Sequence, residues 1–213
     1  MTDKFKGLQK LSPVIIAAIA FLALRMFKIS LIAGTHISFF SVTDALMPLT
    51  GIIGMSYAIG AILLRYSWRI CMLNASYSVL VYHLPGLCAS YYWASKSRLI
   101  SIGLPLLCMA IFIVHPVGFY AAPYVLYWFI PVVLGLLRIS SPVASAFTST
   151  FIAHAVGSVL WLYTIPMTSA QWLSLIPIVA VERCCFAGFM ILVYYAGSAV
   201  RQAYTALKLN YAK

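Results

Sequence analysis

Long apolar runs dominate the chain, separated by short segments that carry most of its basic residues. Seven runs can be marked, at about 13–33, 44–64, 71–93, 99–115, 119–137, 143–163 and 171–197. Each approaches or exceeds the roughly 20 residues a helix needs to cross a hydrocarbon layer. Barrel strands would alternate apolar and polar residues at period two, and these runs are continuous instead. Helices satisfy their own backbone donors and acceptors, which lipid cannot do for them. The pattern therefore predicts an all-α fold, a polytopic membrane helix bundle with no soluble domain. No internal repeat or low-complexity segment appears, so one transmembrane domain is expected over 1–213.

One run is irregular. The middle of 71–93 reads Tyr82-His83-Leu84-Pro85-Gly86. Proline and glycine together interrupt a helix, and the residue before proline is pushed out of helical geometry. This run is expected to be a broken, re-entrant or interfacial segment, with a kinked seventh span as the alternative. The first run is also interrupted, by Arg25 and Lys28. A charge at the bilayer centre is costly, so both are expected toward one end, snorkelling or facing a cavity.

Composition strengthens the membrane reading. Hydrophobic residues make up 64% of the 213 and charged residues only 8%, where soluble domains carry about a quarter. The net charge is +11. Its basic residues stand singly or in small groups between apolar runs, without the basic-aromatic patterning of a nucleic-acid binder. They read as topology signals, because Lys and Arg in short loops mark the cytoplasmic side. If all seven runs cross, they fall five inside and six outside. If 71–93 returns to its own side, eleven fall inside and none outside, with Arg25, Lys28 and Arg183 left within or beside spans. The second count predicts six spans and both termini in the cytoplasm of a prokaryotic inner membrane. The basic segment MTDKFKGLQKLSP is expected to lead into a retained first helix rather than a cleaved signal. The five cysteines form no CxxC pair and read as packing residues.

Intramembrane ionisable residues are functional candidates by default. Glu182 and Arg183 fall near the middle of the last span, where they line a cavity or form a structural ion pair. His154 lies mid-span in FTSTFIAHAVGSVLW, with Thr148, Thr150 and Ser158 toward the same side and Gly157 open to a close neighbour. It reads as a ligand contact or as a hydrogen-bonded core histidine. His115 sits in an outer turn with Pro116 and Gly118. Tyr120, Tyr124 and Tyr127 then share one helical stripe beside Trp128, forming an aromatic wall for a flat ligand or an interfacial belt. Asp44 opens the second span, where it caps a helix dipole or belongs to a polar lid over 34–44.

No phosphate-binding loop, HExxH, GxSxG or paired acidic motif is present. The chain has no motor of its own, and no cofactor is expected.

The arrangement resembles the substrate-binding membrane component (S component) of energy-coupling factor vitamin transporters. The resemblance rests on a polar connection after the first span, the small-residue run DALMPLTGIIGMSYAIGAI, and the closing span LIPIVAVERCCFAGFMILVYYAG. It implies six helices, capture of a vitamin or precursor near the outer face, and transport driven by a transmembrane coupling subunit and separate ATPase subunits. The family's first helix carries small residues at four-residue spacing, whereas Ala17, Ala20 and Ala23 recur here at three. The candidate substrate-binding residues are His154, Glu182, Arg183, His115, Tyr124, Trp128, Asp44 and Arg25. Two other readings stay open: an intramembrane enzyme or haem protein using His83, His115, His154 or Glu182, and a stand-alone secondary carrier.

Overall fold

A computed structural model of the chain describes residues 46–73 and 81–211. The chain divides into two compact units, Met1–Ala45 and Leu46–Lys213, and all the described residues belong to the second. The expectations for Arg25, Asp44, the first run and the polar connection 34–44 lie outside the described residues.

Every described element is helical, as the apolar pattern predicts. A 3-10 turn, Met47–Leu49, leads into α1 (Thr50–Ile53), followed by α2 (Met55–Leu73) and α3 (Leu84–Ser95). A π turn, Leu99–Gly103, opens α4 (Leu104–Val114). Next come α5 (Pro116–Tyr120), a 3-10 segment Ala122–Trp128 and α6 (Phe129–Leu136). The chain closes with α7 (Pro142–Thr164), α8 (Ser169–Ser174) and α9 (Ile176–Tyr211). Two stretches, Pro142–Thr164 and Ile176–Ala206, are long and apolar enough to cross a membrane.

The predicted run 143–163 and the helix α7 nearly coincide, because Ser141 caps the first turn by accepting from the Ala144 N–H at 3.1 Å and Pro142 takes the N1 position. The α7 helix is the centre of the fold. Its residues Ala146, Thr148, Phe151, Ile152 and Ala155 are all buried. The α3 helix lies antiparallel along it: Tyr82 donates to Thr164 at 3.0 Å at one end, and Lys96 donates to Ser145 at 2.8 Å at the other. Those contacts are about 28 Å apart along α7, close to the thickness of a hydrocarbon core. The α9 helix also runs antiparallel to α7, with Met190 against Ser149.

The run 71–93 is broken where expected, by a turn at Tyr82 and His83 after the helical Val81, and Pro85 and Gly86 lie just past the break, with Pro85 in the first turn of α3 and His83 as its N-cap. Proline needs no amide partner there, which is why it is tolerated. A second break, not expected from the sequence, falls within the run 44–64. Gly54 has φ 142° and ψ 151°, a conformation suited to glycine, and separates α1 from α2. The α2 helix then folds back, so that Ala58 and Ile62 join Met47 in one buried cluster. The α1 helix packs tightly on α3, where a Cβ on Gly51 would overlap the Ser90 carbonyl.

The run 119–137 is likewise not one helix. It resolves into the end of α5, a 3-10 segment and α6, with Pro123 in the first turn of the 3-10 segment. The Lys96 and Arg138 backbones are left-handed, at φ 50° and 55°, and both follow the last turn of a helix. A cation at that position faces the negative end of the helix dipole.

Candidate functional site

The buried polar centre lies where the 3-10 segment meets the middle of α7. Trp128 donates its indole N–H to His154 Nδ1 at 3.0 Å. An indole can only donate, so Nδ1 is the acceptor and the ring proton resides on Nε2. Nε2 then donates to the Tyr124 hydroxyl at 2.8 Å, and that hydroxyl shares a hydrogen bond with the Ser158 hydroxyl at 3.3 Å. Both nitrogens of His154 are thereby engaged, leaving no lone pair for a metal in this arrangement.

Aromatic rings enclose the centre. Phe112 stacks on Tyr124 with centroids 5.7 Å apart and meets Trp128 edge-on at 5.3 Å. Trp172 lies edge-on to both Phe112 and Tyr124, at 5.3 and 5.0 Å. Tyr127 stacks on Phe151 and donates to the Ile176 carbonyl at 3.0 Å, tying the start of α9 to the 3-10 segment.

Glu182 and Arg183 stand on α9. Neighbouring helical positions point about 100° apart, yet the long arginine reaches across its own helix to meet Glu182 Oε2 at 2.6 Å. Its guanidinium also covers the Phe186 ring at 4.4 Å. The Arg183 charge acts electrostatically on both His154 and Tyr124, and Glu182 acts on Tyr124. Three buried polar atoms near these helices have no hydrogen-bond partner: Glu182 Oε1, Trp172 Nε1 and Thr148 Oγ1.

The fold thus brings together Tyr124, Trp128 and His154, with Glu182 and Arg183 close by. Thr148, Thr150, His154 and Ser158 are all buried. Gly157 faces Pro85, to which a Cβ would stand at 3.6 Å. His115 is placed elsewhere. It caps α5 by accepting from the Val117 N–H at 3.2 Å and packs edge-on against Tyr163. The expected stripe of Tyr120, Tyr124 and Tyr127 does not form: Tyr120 is exposed and Tyr124 buried, because the helix breaks at Ala121 and continues with 3-10 geometry.

Phe112 and Trp172 escaped the sequence reading. For Trp172 a signal was present. Thr168 and Gln171 form a capping box, which starts α8 and sets Trp172 within one turn. Among the described residues no cluster of three or more His, Cys, Asp or Glu side chains could hold a metal. The chain matches no protein-family model, no curated protein and no solved structure.

Proposed function

We propose that this chain is a multi-pass membrane protein that captures a small polar molecule beside Tyr124, His154, Glu182 and Arg183, and that separate ATPase subunits drive its uptake. The membrane part of this reading is supported by an inverted polarity. Large apolar side chains such as Val114, Leu99 and Leu192 are 80%, 75% and 70% exposed, while Ser90, Ser145, Thr148 and Ser149 are completely buried. In water this surface would aggregate; in lipid it is matched to its solvent.

Six spans remain the proposed number, with a different broken segment. The reversal at Gly54 makes α1 and α2 the re-entrant element, and residues 81–95 take the role of a crossing segment alongside α7. Parity is unchanged, so both termini stay cytoplasmic; Arg65 and Arg69 now fall outside, and the count of basic residues becomes nine inside and two outside. Lys96, Arg98 and Arg138 gather at the Ser145 end of α7, and Arg201 lies about two turns beyond Tyr194, which packs on Trp93 near that end. This clustering supports that end as cytoplasmic.

The binding part is carried by one observation: Glu182 Oε1 and Trp172 Nε1 are buried without a partner, and both belong to residues that act on Tyr124. An unsatisfied buried acceptor and donor cost about 1–3 kcal/mol each, which a bound solute carrying the complementary groups offsets. Mass spectrometry of small molecules retained by the purified chain tests this. A compound enriched over a mock purification and reduced in Trp172→Phe is expected. Full retention by Trp172→Phe, or no enriched compound and no co-purifying ATPase, overturns the reading.

A further inference from the structure

We infer that the solute held beside Glu182 and Trp172 is uncharged, and that it carries an N–H or O–H donor for the Glu182 carboxylate and a carbonyl or ring-nitrogen acceptor for the Trp172 indole. This rests on the capture reading above and adds the chemical class of what is captured.

Charge balance carries the inference. Glu182 and Arg183 neutralise each other across 2.6 Å. His154 contributes no charge, because its Nδ1 accepts from Trp128 and an imidazolium has no acceptor. The site therefore has no net charge to balance a charged solute, and a lone charge inside a bilayer is costly. The placement of the pair points the same way. An anion drawn to the Arg183 guanidinium, which also covers the Phe186 ring, meets the Glu182 carboxylate beside it. An ammonium drawn to Glu182 meets the guanidinium. A neutral molecule avoids both repulsions.

The remaining hydrogen-bonding groups define what such a molecule offers. Both His154 nitrogens and the Tyr124 hydroxyl are engaged within the protein. Glu182 uses Oε2 for Arg183, and its Oε1 is buried with no partner. A carboxylate oxygen only accepts, so the solute donates there. The Trp172 indole N–H is likewise buried without a partner, in a side chain only 2% exposed. An indole only donates, so the solute accepts there. Trp172 lies edge-on to Tyr124 at 5.0 Å, and the Glu182 charge acts on the same tyrosine. Ile176 opens α9 just after Trp172, and Glu182 follows about 9 Å along that helix, a span that one small molecule bridges.

The test is the charge of the compounds retained by the full chain when it is purified in detergent from cell membranes. Mass spectrometry identifies them, and capillary electrophoresis at pH 7 reads their charge. The compound enriched over a mock purification and reduced in Trp172→Phe is expected to move with the electro-osmotic flow, as a neutral molecule does, and to contain an N–H or O–H group. Glu182→Gln keeps an acceptor and removes its charge, so it should lower retention of that compound about fivefold, the difference between a charged and a neutral hydrogen bond. An anionic or cationic compound that depends on Trp172, or unchanged retention in a folded Glu182→Gln chain, overturns this inference and leaves the capture reading standing. No enriched compound overturns both. Where Glu182→Gln does not fold, the charge read with the wild-type chain decides alone.

Discussion

His154 is defined by what its neighbours can do chemically. Trp128 has only a hydrogen to offer, so it selects the tautomer in which Nε2 donates to Tyr124. Trp128→Phe keeps the ring and removes the donor, leaving a buried nitrogen unsatisfied. Thermal unfolding in detergent should show a loss of about 1–2 kcal/mol, the scale of interhelical hydrogen bonds in membrane bundles. Glu182 and Arg183 offer a sharper test. Removing one partner strands a buried charge, so Glu182→Ala is expected to cost about 3–5 kcal/mol, whereas the pair Glu182→Leu with Arg183→Met should cost much less. If the double variant unfolds as early as the single one, the pair is not the source of the cost. The sequence marked each of these residues as unusual for a span. It carried no information on their pairing, because Trp128 and His154 are 26 positions apart and adjacent charges on a helix are not expected to meet.

At the scale of elements, glycine and proline act through their place in a helix. Pro85 starts α3, and Gly54 reverses the chain between α1 and α2. The Pro85-Gly86 pair marks the break at Tyr82 and His83 from composition alone, whereas the bend at Gly54 is shown only by the packing of Met47 with Ala58 and Ile62. The α3 C-cap gives a pH prediction. Desolvation of the Lys96 ammonium lowers its pKa to about 8, outweighing the bond to Ser145 and the Trp93 ring. Between pH 8 and the ordinary lysine value of about 10.4, the unfolded chain binds more protons than the folded one. Stability relative to Lys96→Met should therefore rise with pH across that window and stay level below it. A pH-independent difference in melting temperature would show that the ammonium is not desolvated.

For the whole molecule, the arrangement of ends matters most. Residues 97 and 140 flank the basic end, and residue 170 lies on α8 at the other. In a background with all five native cysteines replaced, Ser97→Cys and Ser140→Cys should react with an impermeant maleimide from the same face of sealed vesicles, and Ala170→Cys from the opposite face. Labelling of residues 97 and 140 from opposite faces would remove the six-span proposal.

The amino-acid sequence by itself determined that the chain is helical and where its longest central helix runs. Both follow from local patterns: apolar continuity over whole runs, and a serine-proline start at Ser141-Pro142. It also determined that basic residues gather in particular connections. Tertiary structure decided which aromatic rings surround His154, and that His115 caps a helix beside Phe112 and takes no part in the His154 hydrogen bonds. Those outcomes depend on contacts between positions distant in the chain, such as Trp172 on Tyr124. In a chain so uniformly apolar, hydrophobicity identifies helices but scarcely distinguishes their faces. Close packing and the pairing of a few buried polar groups make that choice.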